Sequence, residues 1–142
     1  MEYYFIEPEV AGGFGEKTII DRSSGRMKVK ALHYEFDGWL GEELLESTPC
    51  FIVSQQLSNR IKDQNLSGVE FDEVLITKSN EFRELYTNID LPKFLWLKVN
   101  GMPGVDDFGI TDDLRLVISD VALQLLTLNG VSHAASITTR NA

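Results

Sequence analysis

The chain has 142 residues, 43% of them hydrophobic and 25% charged, with 22 acids against 13 bases and a net charge of −9. That length suffices for one domain with a proper core, about 70% of the unfolded surface being buried at this size, and the apolar content excludes a disordered chain. The acidic balance argues against nucleic acid, which asks for a basic patch, and no window approaches the ~18 apolar residues of a membrane helix.

Cys50 is the one cysteine, so no internal disulfide can form, which fits a reducing cytoplasm. Beside Phe51 and Ile52 it reads as a small buried hydrophobe. The segment MEYYFIEPEV carries Glu2 and Glu7 and no basic run, so no secretory leader is expected.

Glu2 to Ile6, EYYFI, has strand character. Gly12, Gly13 and Gly15 predict a flexible turn. A phosphate loop would need Gly-Lys-Ser/Thr, and here Glu16 stands between Gly15 and Lys17, where it would repel a phosphate. Met27 to Phe36 alternates as a strand. Its apolar phase passes from Met27, Val29 and Ala31 to Leu32, Tyr34 and Phe36, which requires a bulge or bend near Ala31 and Leu32. His33 lies in this run with no Cys, His or acid pair beside it and reads as a strand residue. In DGWLGEELLES, Gly38 and Gly41 bracket Trp39 and Leu40, and one helical turn ended by Pro49 follows. The usual burial of Trp favours a core role for Trp39; exposure at a binding surface is the alternative, and Trp39 is a candidate partner contact on that ground.

Phe51 to Val53 predict a buried strand, and Ser54 a helix N-cap. Leu57 and Ile61 form a narrow apolar stripe on a surface helix, closed by Gly68 before a strand from Val69. VEFDEVLITKS continues as strand with a second change of phase. Asn80 caps a short helix whose Phe82 and Leu85 share a face. Phe94 to Val99 is apolar on both faces, as a covered central strand is. Asn100 to Asp113 reads as the longest loop. Leu116 to Ile118 then predict a strand, Ser119 a cap, and Asp120 to about Leu128 a helix buried nearly all round. Gly130 and Val131 close it before a final strand in SHAASITT.

Cys50–Leu57 and its neighbours are thus written twice, as strand, Ser, helix, Gly-Val, strand, with three more residues between Ser and Gly in the first copy. Such local grammar also recurs by chance, so the sequence leaves a true repeat open. Either way the alternation predicts one α+β domain, with a mostly antiparallel or mixed sheet and a few short helices.

Chemistry-bearing patterns are sparse. Asp107-Phe108-Gly109 matches the magnesium motif of kinases, but the rest of that set is absent. Asp106, Asp107, Asp112 and Asp113 lack the ligand spacing of a calcium loop; they read as loop residues or as an acidic face for a basic protein. Ser54 and Ser119 are caps, not nucleophiles, and His33 and His133 have no triad pattern around them.

FIVSQQLSNRIKDQNLSGVEFDEVLI and DDFGITDDLRLVISDVALQLLTLNGVSHA resemble the Myxococcus-type immunity-protein domain of bacterial polymorphic toxin systems. The likeness is an apolar-Ser-x-x-Leu helix ending in Gly-Val, over about Cys50 to Ile137. It implies neutralisation of a cognate toxin by direct binding and supplies no catalytic residues and no cofactor. The expectation is therefore a cytoplasmic, non-enzymatic protein that binds a basic toxin domain, with the Asn100–Asp113 loop as the preferred contact. The alternatives are a small-molecule- or metal-binding domain or enzyme with a pocket around His33, Trp39 and Trp96, and an oligomer using its aromatics at a self-interface.

Overall fold

Ser54 and Ser119 each end a strand in extended backbone and start a helix in the next residue. The computed structural model describes residues 2–25, 27–132 and 136–139. Along it run β1 (Tyr3–Glu7), β2 (Gly12–Phe14), β3 (Ile19–Asp21), β4 (Lys28–Ala31), β5 (His33–Phe36), β6 (Leu44–Ser47) and β7 (Cys50–Ser54). Then come α1 (Gln55–Asp63), β8 (Val69–Asp72), β9 (Leu75–Lys78), α2 (Asn80–Leu85) and β10 (Phe94–Val99). The rest are β11 (Phe108–Ile110), β12 (Leu116–Ser119), α3 (Asp120–Leu128) and β13 (Ser136–Thr139). This is an α+β domain with three short helices among the described residues and sheets that are antiparallel or mixed.

The two copies are one piece of architecture used twice. Their sheets run β6-β7-β10-β8 and β11-β12-β1-β13. In each, a hairpin leads through a Ser cap into a helix, and the chain returns to the far edge beyond an inserted antiparallel strand. Each unit is a β-α-β crossover split by a third strand, β10 in one and β1 in the other. The register agrees residue for residue: Phe94 pairs with Ser54 where Tyr3 pairs with Ser119. The small bonds agree too. Ser54 N–H donates to Glu43 O and Ser119 N–H to Asp107 O, both at 2.9 Å; Gln55 N–H reaches Lys93 O and Asp120 N–H reaches Glu2 O. Both cap hydroxyls accept from the amide three residues on, Leu57 and Ala122, at 3.1 Å. The buried helical positions also correspond, Leu57 and Ile61 in α1, Ala122 and Leu126 in α3.

Where the copies meet, they clasp crosswise. Gly68, at φ +94°, lies so close to Phe108 O that a Cβ would sit 2.0 Å from it. Gly130, at φ +93°, lies against Glu43 in the same way, a Cβ there coming 2.4 Å from the Glu43 side chain. One core fills the space between the units, from Ile6, Leu44, Phe51, Val53, Leu95 and Leu97 to Phe108, Leu116 and Ile118, under the two helices.

The opposite face of β7 and β10 carries a second core. Ile52, Phe94 and Trp96 pack there against Tyr34, Phe36 and Phe82. Hence β10 is apolar on both faces, as its sequence predicts. The covering layer is the sheet β2-β5-β9 with α2 and the β3–β4 hairpin, built from segments outside the repeat.

Several local expectations are corrected. Gly12–Phe14 is strand β2, not a turn: a Cβ on Gly12 would meet Glu35 O at 1.9 Å, so glycine is there to let two strands approach. Leu44 and Leu45 are not helical. They are strand residues buried on opposite faces of the sheet, one in each core, and Pro49 lies in the turn that follows β6. Met27–Phe36 breaks at Leu32 as its phase change requires, while VEFDEVLITKS is two strands in two different sheets. Ser79, not Asn80, caps α2, accepting from Phe82 N–H at 3.1 Å. Leu85 is 75% exposed rather than packed beside Phe82. The Asn100–Asp113 loop contains β11. Finally α3 is not buried all round, since Val121 and Leu128 face outward. Ser136–Thr139 forms the last strand, and His133 lies outside the described residues.

Candidate functional site

The acidic loop divides into framework and surface. Asp107 Oδ1 accepts from Ser119 Oγ at 2.7 Å, and its Oδ2 accepts from Ser67 N–H at 2.9 Å and Ser67 Oγ at 3.4 Å. It joins the cap serine of the second unit to the end of the first. Asp106 Oδ2 accepts from Met102 N–H at 2.7 Å and closes its own turn. Asp113 accepts from Thr111 Oγ1. Asp112 is an exposed carboxylate with no hydrogen-bond partner among the described residues. No group of three or more His, Cys, Asp or Glu among the described residues is placed to hold a metal.

A like clasp, from Glu42 to Ser132, joins the units from the other side. Glu42 is fully buried, and its Oε1 accepts from Ser132 N–H at 2.8 Å and Ser132 Oγ at 3.1 Å. Nothing in the local pattern around Glu42 or Ser67 marks either as a cross-unit contact.

Trp39 lies where the added layer meets β10. Its Nε1 donates to Glu42 O at 2.7 Å, and its ring meets Phe94 edge-on with centroids 6.2 Å apart. These contacts fix the indole half-buried. The remaining surface opens into a cleft of about 320 Å³ that also takes in Val10, Leu40, Tyr86, Glu9 and Asp37. Ala11 O accepts from both Asp37 N–H and Gly38 N–H, which draws the Val10 and Trp39 segments together. Gly38 then sits against the Tyr86 ring, where a Cβ would come within 3.1 Å. Val10 is 60% exposed and Leu40 is 68% exposed. Sequence reasoning singled out Trp39 but missed Val10 and the two acids, because the segments that meet here are far apart in the chain and neither has a periodic pattern.

His33, Trp39 and Trp96 do not share one pocket. His33 and Trp96 line a separate groove with Lys17, Lys30, Asp72 and Glu73. The imidazole is engaged within the fold. Its Nδ1 accepts from Lys17 N–H at 3.2 Å, which assigns the ring proton to Nε2, 2.7 Å from Thr77 Oγ1; Thr77 in turn faces Glu35 at 3.5 Å. Gly15 lies flat on the ring, with room for no Cβ (2.1 Å from Nδ1). Gly15, just after β2, is thus a cover for a histidine, and His33 offers no free nitrogen to a substrate. Trp96 is capped by Lys98, whose Nζ sits 4.7 Å above the ring and 3.5 Å from Asp72. Cys50 is 5% exposed, and burial pushes its pKa up to about 12, which leaves no thiolate for catalysis near neutral pH. Ser54 and Ser119 accept helix-capping bonds, and neither is bonded to His33, whose ring nitrogens face Lys17 N–H and Thr77 Oγ1.

No family model matches the chain, and neither a curated protein nor a solved structure matches it. No described helix is long and apolar enough to cross a membrane.

Proposed function

We propose that this chain is a protein-binding module that acts by occupying a partner's surface. The observation that carries this reading is the Trp39 cleft. Two large apolar side chains, Val10 and Leu40, are exposed in one cleft with a half-buried indole, and Glu9 and Asp37 share its lining. An aromatic anchor with apolar neighbours and a charged rim is the arrangement that concentrates binding energy in protein interfaces. The excess of acids adds long-range attraction for a basic partner.

More particularly, we read it as an immunity-like protein that binds and neutralises a basic toxin domain. The support is the sequence resemblance and the acidic, aromatic cleft; the engaged states of His33, Cys50 and the cap serines leave little for catalysis to use. Contact moves from the whole Asn100–Asp113 loop to the Trp39 cleft, with Asp112 as an outlying charge, because Asp106, Asp107 and Asp113 accept hydrogen bonds within the fold.

The test is to read the adjacent reading frame and to co-express this chain with any toxin-like C-terminal domain it encodes. The expected result is a co-purifying complex and protected cells. Leu40→Asp, at an exposed site, should weaken binding by about 2 kcal/mol, or roughly 30-fold, and leave the melting temperature unchanged. Glu9→Gln with Asp37→Asn should slow association several-fold at low salt and little at high salt, where screening removes the effect. Failure to form a complex or to protect would refute the immunity reading.

A further inference from the structure

A second surface has the opposite charge and lies along an open sheet edge. Among the described residues β9 pairs with β5, in parallel, and with no other strand. In a parallel pair alternate residues turn both backbone groups toward the neighbour, and those between turn both away. Leu75 N–H and Ser79 N–H donate to Leu32 O and Phe36 O at 3.0 and 2.9 Å. Ile76 and Lys78 therefore point N–H and C=O out of the sheet. A groove of about 690 Å³ is lined by Ile76, Thr77 and Lys78 of this strand together with the segment Asp90–Lys93.

Three cations line it. Lys78 is fixed, its Nζ donating to Ile89 O at 2.9 Å above the Phe82 ring, while Arg83 and Lys93 are exposed. None of the three is in an ion pair among the described residues, although Glu73 and Asp90 share the lining. In a chain with nine more acids than bases, the sign of charge is reversed here. A lysine on an open edge deters pairing with a second copy, because two such edges would bring like charges together. The same charges favour an acidic strand.

The geometry points to β9 as a docking edge for an extended, acidic segment of a partner protein, which would add a strand beside Ile76 and Lys78 and place its carboxylates near Lys78, Arg83 and Lys93. The groove shares no residue with the Trp39 cleft, so either surface can fail its test without the other.

The probe is a capped peptide alternating valine and aspartate, with a valine–lysine peptide as control, titrated to millimolar concentration and followed by amide NMR. The acidic peptide should shift the Ile76 and Lys78 amides and slow their hydrogen exchange; the lysine peptide should do neither. Arg83→Glu with Lys93→Glu should weaken binding about tenfold, and Ile76→Pro, which removes an outward N–H, should abolish it. If Ile76→Pro fails to fold, the double charge reversal still decides. Shifts confined to the Arg83 and Lys93 surroundings, an equal response to both peptides, or no response would each overturn the proposal.

Discussion

Asp107→Ala removes the acceptor of three donors, Ser67 N–H, Ser67 Oγ and Ser119 Oγ, and leaves the Ser119 hydroxyl, on a fully buried residue, without its acceptor. Charge-assisted bonds of this kind contribute more than neutral ones, so a loss of about 2–3 kcal/mol is expected in urea unfolding. Asp112→Ala, at an exposed carboxylate, should stay within about 0.5 kcal/mol. Equal effects of the two changes would contradict the division of the acidic loop into framework and surface. Cys50 gives a pH-dependent expectation. Burial raises its thiol from 9.0 to about 12, and Tyr34 is raised from 10.0 to about 12, chiefly by burial as well. Folded-state values above unfolded ones mean that both groups add stability fully below pH 9 and that it is lost as pH climbs toward 12. The denaturation midpoint should therefore fall across that window, and Cys50→Ala should flatten its lower part. Native protein should also resist a thiol reagent at neutral pH until it is unfolded.

Among the elements, the turns after the two repeat helices carry the strictest demand. Gly68→Ala would combine a left-handed backbone with a Cβ only 2.0 Å from Phe108 O, and a loss of about 3 kcal/mol or failure to fold is expected. Gly41→Ala has the same handedness, at φ +99°, but nothing within 4 Å, so about 1 kcal/mol is expected. Comparing their thermal midpoints separates crowding from conformation. Elements of this kind were partly legible beforehand. The Ser caps, the Gly130 exit of α3 and the two-faced strand β10 follow from local rules, whereas α1 ends at Gln64 with Asn65 as its left-handed residue (φ +53°), three residues before the expected Gly68. The break of VEFDEVLITKS into β8 and β9 is visible as a change of phase, yet which sheet takes each half depends on distant partners. Glu43–Leu45 has good helix formers, but burial of Leu44 and Leu45 on opposite sides overrides that propensity. Apolar count alone made α3 look buried, since it does not say which side chains a neighbour will cover. The Trp39 cleft was legible only as Trp39 itself.

For the whole molecule, two matched units share one core, so they should unfold together: far-ultraviolet circular dichroism and tryptophan fluorescence should give coincident urea transitions, and separate ones would mean that the layer holding Trp39 melts on its own. That layer lies outside the repeat and holds the features the scaffold does not use, the Trp39 cleft and the open β9 edge. The inserted strand of the second unit has a further consequence, for synthesis. The first unit takes its middle strand, β10, from just downstream, whereas the second takes β1 from the beginning of the chain. During translation β1 emerges first and must wait for β12 and β13, its Ile6 side chain without its eventual cover. The first unit can close before β12 and β13 have been made, and the second cannot. A nascent chain stalled after β10 should thus be protected from protease from β6 through β10 and open to it at β1, and the last strands to appear would complete the sheet that the first one began.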